Sequence, residues 1–144
     1  MDPIPVTIRQ ATEHDLPAVR LAFADWGYRG NARATDTILM AEHDSELVGL
    51  VRLTPEHGVV VLRGLSIPPK YQMRGVGRAL MQRALASFEG IDFYCLPLAP
   101  LKDFFAYGGF VACPADAAPP FLADRLEQYR HGGGNFILMR RPGA

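Results

Sequence analysis

The stretch Gln72-Met73-Arg74-Gly75-Val76-Gly77-Arg78-Ala79-Leu80-Met81 sets two glycines, one residue apart, at the entrance of an amphipathic helix. Glycine costs about 1 kcal/mol relative to alanine inside a helix, so this placement points to a backbone that something must approach closely. Downstream, Val76, Leu80, Ala84 and Phe88 make one apolar row and Met81 and Leu85 the next, which predicts a helix packed on a sheet. Upstream, Pro68-Pro69 stops an apolar strand. A strand, a tight turn and a helix opening form an anion site, because the first N–H groups lack intrahelical partners and sit at the positive dipole end. Without Cβ atoms at 75 and 77, phosphate oxygens can reach the amides of Met73, Arg74, Gly75, Val76, Gly77 and Arg78, and Arg74 or Arg78 adds charge.

Spacing removes two other phosphate motifs. A dinucleotide fingerprint needs a third glycine where Leu80 stands, and a nucleotide triphosphate loop needs Gly-Lys-Ser/Thr where this chain has Gly77-Arg78-Ala79. A structural turn, whose glycines merely let the helix pack tightly, is the alternative that spacing leaves open.

Outward from this segment, residues 6–9 read as a strand, and Thr12-Glu13-His14-Asp15 as a helix cap with acids in the first turn. Leu16, Val19, Phe23 and Trp26 share one face of the helix that follows, which Gly27 ends. Residues 38–42 and 47–54 flank the polar turn His43-Asp44-Ser45-Glu46. Pro55-Glu56-His57-Gly58 makes another turn before a strand at 59–67, so this block is an antiparallel meander. The unbroken Val59-Val60-Val61-Leu62 predicts a strand covered on both faces. A strand at 91–96 follows the helix and should run parallel to the strand before the glycines, which makes the sheet mixed. A short helix at 101–107, a strand at 110–113, a helix opened by Pro119-Pro120, and a closing strand at 136–140 complete the chain.

With 144 residues, 49% hydrophobic and 21% charged, the chain fits one globular domain, 1–144. Basic and acidic residues number 15 each, so the basic excess of a nucleic-acid-binding domain is absent and no nucleic-acid partner is expected. The first fifteen residues contain Asp2, Arg9, Glu13 and Asp15 and no long apolar run, so the reading is cytoplasmic, with no membrane association. Cys95 and Cys113 are too few for a disulfide framework and too far apart for a zinc site; both are read as reduced and buried, and no metal is expected.

The arrangement as a whole resembles the GNAT superfamily of acyl-CoA-dependent N-acetyltransferases. Gln72, Gly75 and Gly77 match that family's pyrophosphate motif, and Leu65-Ser66-Ile67-Pro68-Pro69-Lys70-Tyr71 is similar to the strand that precedes it. Phe104-Phe105-Ala106-Tyr107-Gly108-Gly109-Phe110 resembles the second signature, and Ile8-Arg9-Gln10-Ala11-Thr12-Glu13-His14-Asp15-Leu16 the usual opening. The resemblance implies an α/β (α+β) fold with a mixed, mostly antiparallel sheet of about six or seven strands, splayed between the fourth and fifth and flanked by helices. It also implies acetyl-CoA as co-substrate. The amides of residues 73–78 and Gln72 would hold the pyrophosphate, the edge at Leu65, Ser66 and Ile67 would pair with the pantetheine arm like an added strand, and Phe105 would lie on the cofactor.

The implied reaction is direct attack of a small-molecule or peptide amine on the thioester, with the Leu65 backbone amide as oxyanion donor. The family's leaving-group tyrosine falls on Phe105, which cannot donate a proton; Tyr107 is the nearest hydroxyl, but two residues on it is rotated by about 200°. Leu98 stands where many members carry asparagine, and the strand at 59–62 offers no carboxylate base. Glu56 and His57 lie in the preceding turn and read as solvated turn residues rather than a base. Tyr28 and Arg29, in the loop after the first helix, are the candidates for contacting the acceptor. The helix at 121–129 reads as the other lip of the site, as a homodimer face, or as ordinary packing. An N-acetyltransferase is the leading expectation, with a non-catalytic acyl-CoA-binding module as the alternative.

Overall fold

The computed structural model describes residues 2–143. Its strands are β1 (Thr7–Gln10), β2 (Thr37–His43), β3 (Glu46–Glu56), β4 (Val59–Ser66), β5 (Phe93–Cys95), β6 (Val111–Ala112) and β7 (Met139–Arg141). Its helices are α1 (Leu16–Asp25), α2 (Val76–Ser87), α3 (Lys102–Tyr107) and α4 (Pro120–His131). The strands form one seven-stranded sheet in the order β1-β2-β3-β4-β5-β7-β6. The β4–β5 pair is parallel, as the crossover helix between them requires, so the sheet is mixed as expected. No helix among the described residues is long and apolar enough to cross a membrane.

The chain divides into two compact units. One takes the chain up to Pro55 together with Leu62–Glu89, and the other takes Glu56–Val61 and the chain from Gly90 onward.

In the first unit β1, β2 and β3 form an antiparallel ladder. Asp44 and Ser45 connect β2 to β3 with φ of 48° and 66°, a two-residue turn whose twist matches that of its strands. His57 and Gly58, at φ 50° and 83°, do the same between β3 and β4. This corrects the sequence reading at Pro55-Glu56: because the turn needs only two residues, β3 continues through both.

Register decides which side chains each helix covers. Met40 is opposite Leu50 and Ile38 opposite Arg52. Ile38, Met40 and Leu50 pack with Val19 and Phe23 of α1 in one core cluster. Ala41 is opposite Gly49, and Gly49 belongs to the other face. A Cβ at Gly49 would lie 2.8 Å from Leu80 Cδ1 and 2.9 Å from both Ile67 Cδ1 and Val76 Cγ1. Here α2 lies close on β3, and its buried residues Val76, Leu80, Met81 and Ala84 are the expected apolar rows.

In the second unit β7 pairs antiparallel with both β5 and β6. The strand expected at 136–140 shortens to β7, with a single bridge between Leu98 and Phe136 ahead of it. Leu122 and Leu126 of α4 pack on Val61, Tyr94 and Leu138. Arg125 of α4 donates two hydrogen bonds to Glu56, at 2.8 and 2.9 Å, so Glu56 is engaged in a bidentate pair. Cys95 is buried, but Cys113 is only partly so, which corrects the expectation for the second thiol: it directly follows β6, the exposed edge of the sheet.

Two outcomes test this packing. Gly49→Val should destabilise the protein by about 1–3 kcal/mol in urea denaturation, since three packed side chains must move at once. Burial pushes both thiols up, Cys95 far more than Cys113, so a thiol reagent at neutral pH should modify Cys113 slowly and reach Cys95 only on unfolding.

Candidate active site

Between β4 and α2 the chain makes a short 3-10 turn, Pro69–Tyr71, and then a left-handed excursion. The helix therefore starts at Val76, later than the whole quoted run suggests, because Met73 (φ 62°) and Gly75 (φ 84°) both adopt left-handed backbone. Arg74 lies between them. Left-handed residues in a turn can direct successive N–H groups toward one side, an arrangement that suits an anion, and the first turn of a helix leaves its own amides without intrahelical partners. Gly75 is the N-cap, where a side chain would be strained. Met73 adopts this conformation without being glycine and points its side chain into solvent, 86% exposed.

Side chains fix the loop from both ends. Gln72 Nε2 donates to the Ile67 carbonyl at 2.8 Å, tying the loop to the end of β4. Tyr71 donates its hydroxyl proton to Glu46. Arg74 Nε donates to the Asp2 carbonyl at 2.7 Å, and the Arg74 carbonyl accepts from Ile4 N–H at 3.1 Å. Gln72 and Arg74 thus hold the backbone in shape, while Arg78 is exposed on the first turn of α2.

Leu65, Ser66 and Ile67 follow Gly64, which has a left-handed φ of 61° within β4. A left-handed glycine within a strand turns the next peptide out of ladder alternation, as in a bulge. Leu65 N–H is in that next peptide. The Tyr28 ring lies against this glycine: a Cβ on Gly64 would be 2.9 Å from Tyr28 Cζ.

Tyr28 brings with it a cluster that sequence reasoning missed. Arg52, on β3 and 1% exposed, donates through Nη1 to Tyr28 Oη at 2.6 Å and through Nε to Asp36 Oδ2 at 2.8 Å. Asp36, with its side chain 0% exposed, also accepts from Thr54 Oγ1 at 2.9 Å and from Arg33 N–H at 2.9 Å. Burial works against the charge on Arg52, but its bonds to Asp36 and Tyr28 outweigh this and raise its pKa, so the guanidinium stays charged. Its Nη2 is buried with no acceptor among the described residues. The local signal was an arginine inside the apolar run Leu50-Val51-Arg52-Leu53; its partner Asp36 is sixteen residues away in a loop. Arg29, the other acceptor candidate, is exposed and apart from this cluster.

In the second unit Phe105 is buried, its ring edge-on to Phe104 at 5.2 Å and to Phe110 at 5.9 Å. Tyr107, two residues on, is 67% exposed, as the helical rotation predicts.

Replacing Gly75 and Gly77 by valine should leave the circular dichroism spectrum largely unchanged while reducing coenzyme A affinity at least tenfold by isothermal titration. Retained affinity would count against this loop as the pyrophosphate site.

Comparison with known proteins agrees with this geometry. Residues 6–102 match the family model described as Acetyltransferase (GNAT) family. A mycothiol acetyltransferase from Nocardia farcinica is 38% identical over 78 residues, covering 54% of this chain and 24% of that protein, so the chain spans about a quarter of this relative's length. N-acetylglutamate synthase from Neisseria gonorrhoeae, solved with coenzyme A and N-acetyl-glutamate, aligns with a TM-score of 0.73 at 24% identity. That alignment covers 97% of this chain and 35% of that one. The ribosomal-protein-S18-alanine N-acetyltransferase from Escherichia coli aligns with a TM-score of 0.71 at 15% identity, covering 97% and 95%. With a family model matched across most of its length, the chain belongs to the GNAT acetyltransferase family.

Proposed function

We propose that this protein is an N-acetyltransferase that moves an acetyl group from acetyl-CoA to a primary amine of a small molecule or peptide, by direct attack within a ternary complex. The observation that carries the reading is the left-handed pair Met73 and Gly75 opening into the first turn of α2, a backbone cradle suited to a pyrophosphate. The Neisseria gonorrhoeae neighbour was solved with coenzyme A, which supports the same guest here.

Acetyl-CoA supplies an acyl group already activated as a thioester. In this reading the amides of Met73 to Arg78 bind the pyrophosphate, and Gln72 keeps the loop in position through Ile67. The backbone edge at Leu65, Ser66 and Ile67 pairs with the amide arm as an added strand would. Leu65 N–H, turned by the Gly64 bulge, donates to the carbonyl oxygen that gains charge as the amine attacks. The attacking amine is neutral and passes its proton to water. The leaving thiol is acidic, about 8.5 for an ordinary thiol, so water also suffices there. Phe105 offers only an apolar ring, and Tyr107 lies on the exposed side of α3. The reading places the protein in the cytoplasm, with no metal, membrane or nucleic-acid partner.

The same Phe105, with Leu98 44% exposed where many members have asparagine, favours a second reading, an acyl-CoA-binding module without catalysis. A thiol-release assay with acetyl-CoA and a panel of amines divides the two. Release above background that depends on the amine, and is retained in Tyr107→Phe, is the expected result; coenzyme A binding without release for any amine would leave the binding module.

A further inference from the structure

Arg52 has five N–H groups to place. One meets Asp36 and one meets Tyr28, while Nη2 is sealed from solvent without an acceptor among the described residues. The Asp36 carboxylate accepts from Arg52 Nε, Thr54 and Arg33, and none of these bonds involves Nη2. An ion pair whose only task was to tie the loop at 28–36 to β3 would be satisfied by the Nε bond. Leaving the other end of a buried guanidinium unbonded is costly, and such a group calls for an acceptor.

Three features point to where that acceptor comes from. Tyr28, which holds Nη1, also lies on Gly64 beside the Leu65 amide, so Arg52 is one side chain away from the proposed reacting carbonyl. The other side of Tyr28 lines a cleft of about 130 Å3, shared with Arg20, Phe23, Gly30 and Asn31. Arg20 commits its Nε to the Ala32 carbonyl and keeps its remaining N–H groups. Tyr28 follows Gly27, at φ 81°, and its ring lies over Gly30, which has no side chain to fill that space.

We infer that the space covered by Tyr28 is an anion subsite for the acceptor: Arg52, through Nη1 and Nη2, forks onto a carboxylate when Tyr28 turns into the cleft. The acceptor is then an amino acid or a related small amine bearing a carboxylate. This deepens the transferase reading and rests on it for the location of the reacting carbonyl. A carboxylate suits a planar guanidinium because two parallel N–H···O bonds form at once, and a lysine cannot reproduce them.

The test reads binding through Trp26, the only tryptophan, which packs in the same cluster as Tyr28 and Phe23. The full chain is titrated with the N-acetyl derivatives of the proteinogenic amino acids and with their carboxamides, with and without coenzyme A. N-Acetylation removes the amine's own titration, so each pair differs only in the anion. At least one carboxylate should bind about tenfold or more tighter than its carboxamide, consistent with a charge-assisted bond. Arg52→Lys, checked by thermal melting, should abolish that preference. Should Arg52→Lys fail to fold, Tyr28→Phe serves: it releases Nη1 and should raise carboxylate affinity while leaving carboxamide affinity unchanged. Equal binding within every pair, a preference that survives Arg52→Lys, or no carboxylate-specific change in Tyr28→Phe would each overturn the subsite. Failure to bind coenzyme A alongside an intact carboxylate preference would sink the transferase reading and leave the subsite standing.

Discussion

Helix α2 lies against β3 through the space left by one missing side chain, at Gly49. Leu80, Val76 and Ile67 fill that space from above, so the helix sits closer to the sheet than any other residue there would permit. The consequence extends to the start of the helix. Val76 is both a residue in that contact and the first residue of α2, so the packing that seats the helix also fixes where its unpaired amides lie. Gln72 then ties the loop to Ile67, another residue of the same contact. A loop that bound phosphate through backbone alone, as proposed, would have no side chain to adjust its fit and would take its precision from this packing.

The opposite face of β3 is organised around charge. Arg52 and Asp36 are both removed from water, and replacing such a pair by apolar residues is often neutral or stabilising. Stability alone therefore does not explain their presence. What the pair does accomplish is geometric: Asp36 joins the segment before β2 to β3 through Arg52 and Thr54, and Arg52 places the Tyr28 hydroxyl. Tyr28 in turn rests on Gly64, so one chain of contacts leads from a buried carboxylate to the bulge in β4. The α2 side of β3 thus carries the Gly49 contact, and the α1 side carries the polar cluster beside Gly64.

Much of this was legible from local pattern. The glycine spacing, the apolar rows of α2, the hairpins and the parallel crossover each follow from periodicity or turn chemistry over a few residues. The failures share a cause. Pro55 looked like a turn residue, and only the two-residue turn His57-Gly58 allows β3 to pass through it. Met73 has no sequence mark for left-handed backbone; the loop imposes it. Arg52 sits in an apolar strand like any amphipathic snorkelling residue, and its role depends on Asp36 and Tyr28, brought from a loop by tertiary contact. Cys113 was read as buried from the habit of cysteine, whereas its neighbour β6 is an edge strand.

The substitution at Phe105 has a physical logic of its own. Its ring is held edge-on between Phe104 and Phe110, a geometry in which aromatic edges and faces attract. A hydroxyl at that ring would need a partner in a buried aromatic setting, and an unpaired one would be costly. The chain keeps the apolar ring and gives up a fixed proton donor. What it gives up is modest for a thiolate, whose conjugate acid is already weakly held near neutral pH, and would be severe for an alkoxide. As the transferase proposed above, the chain would rely on positioning rather than on a fixed acid. In such a site the groups that orient the amine carry more of the rate than any acid. Tyr28 and Arg52, adjacent to the bulge, are therefore where differences in substrate choice should be concentrated.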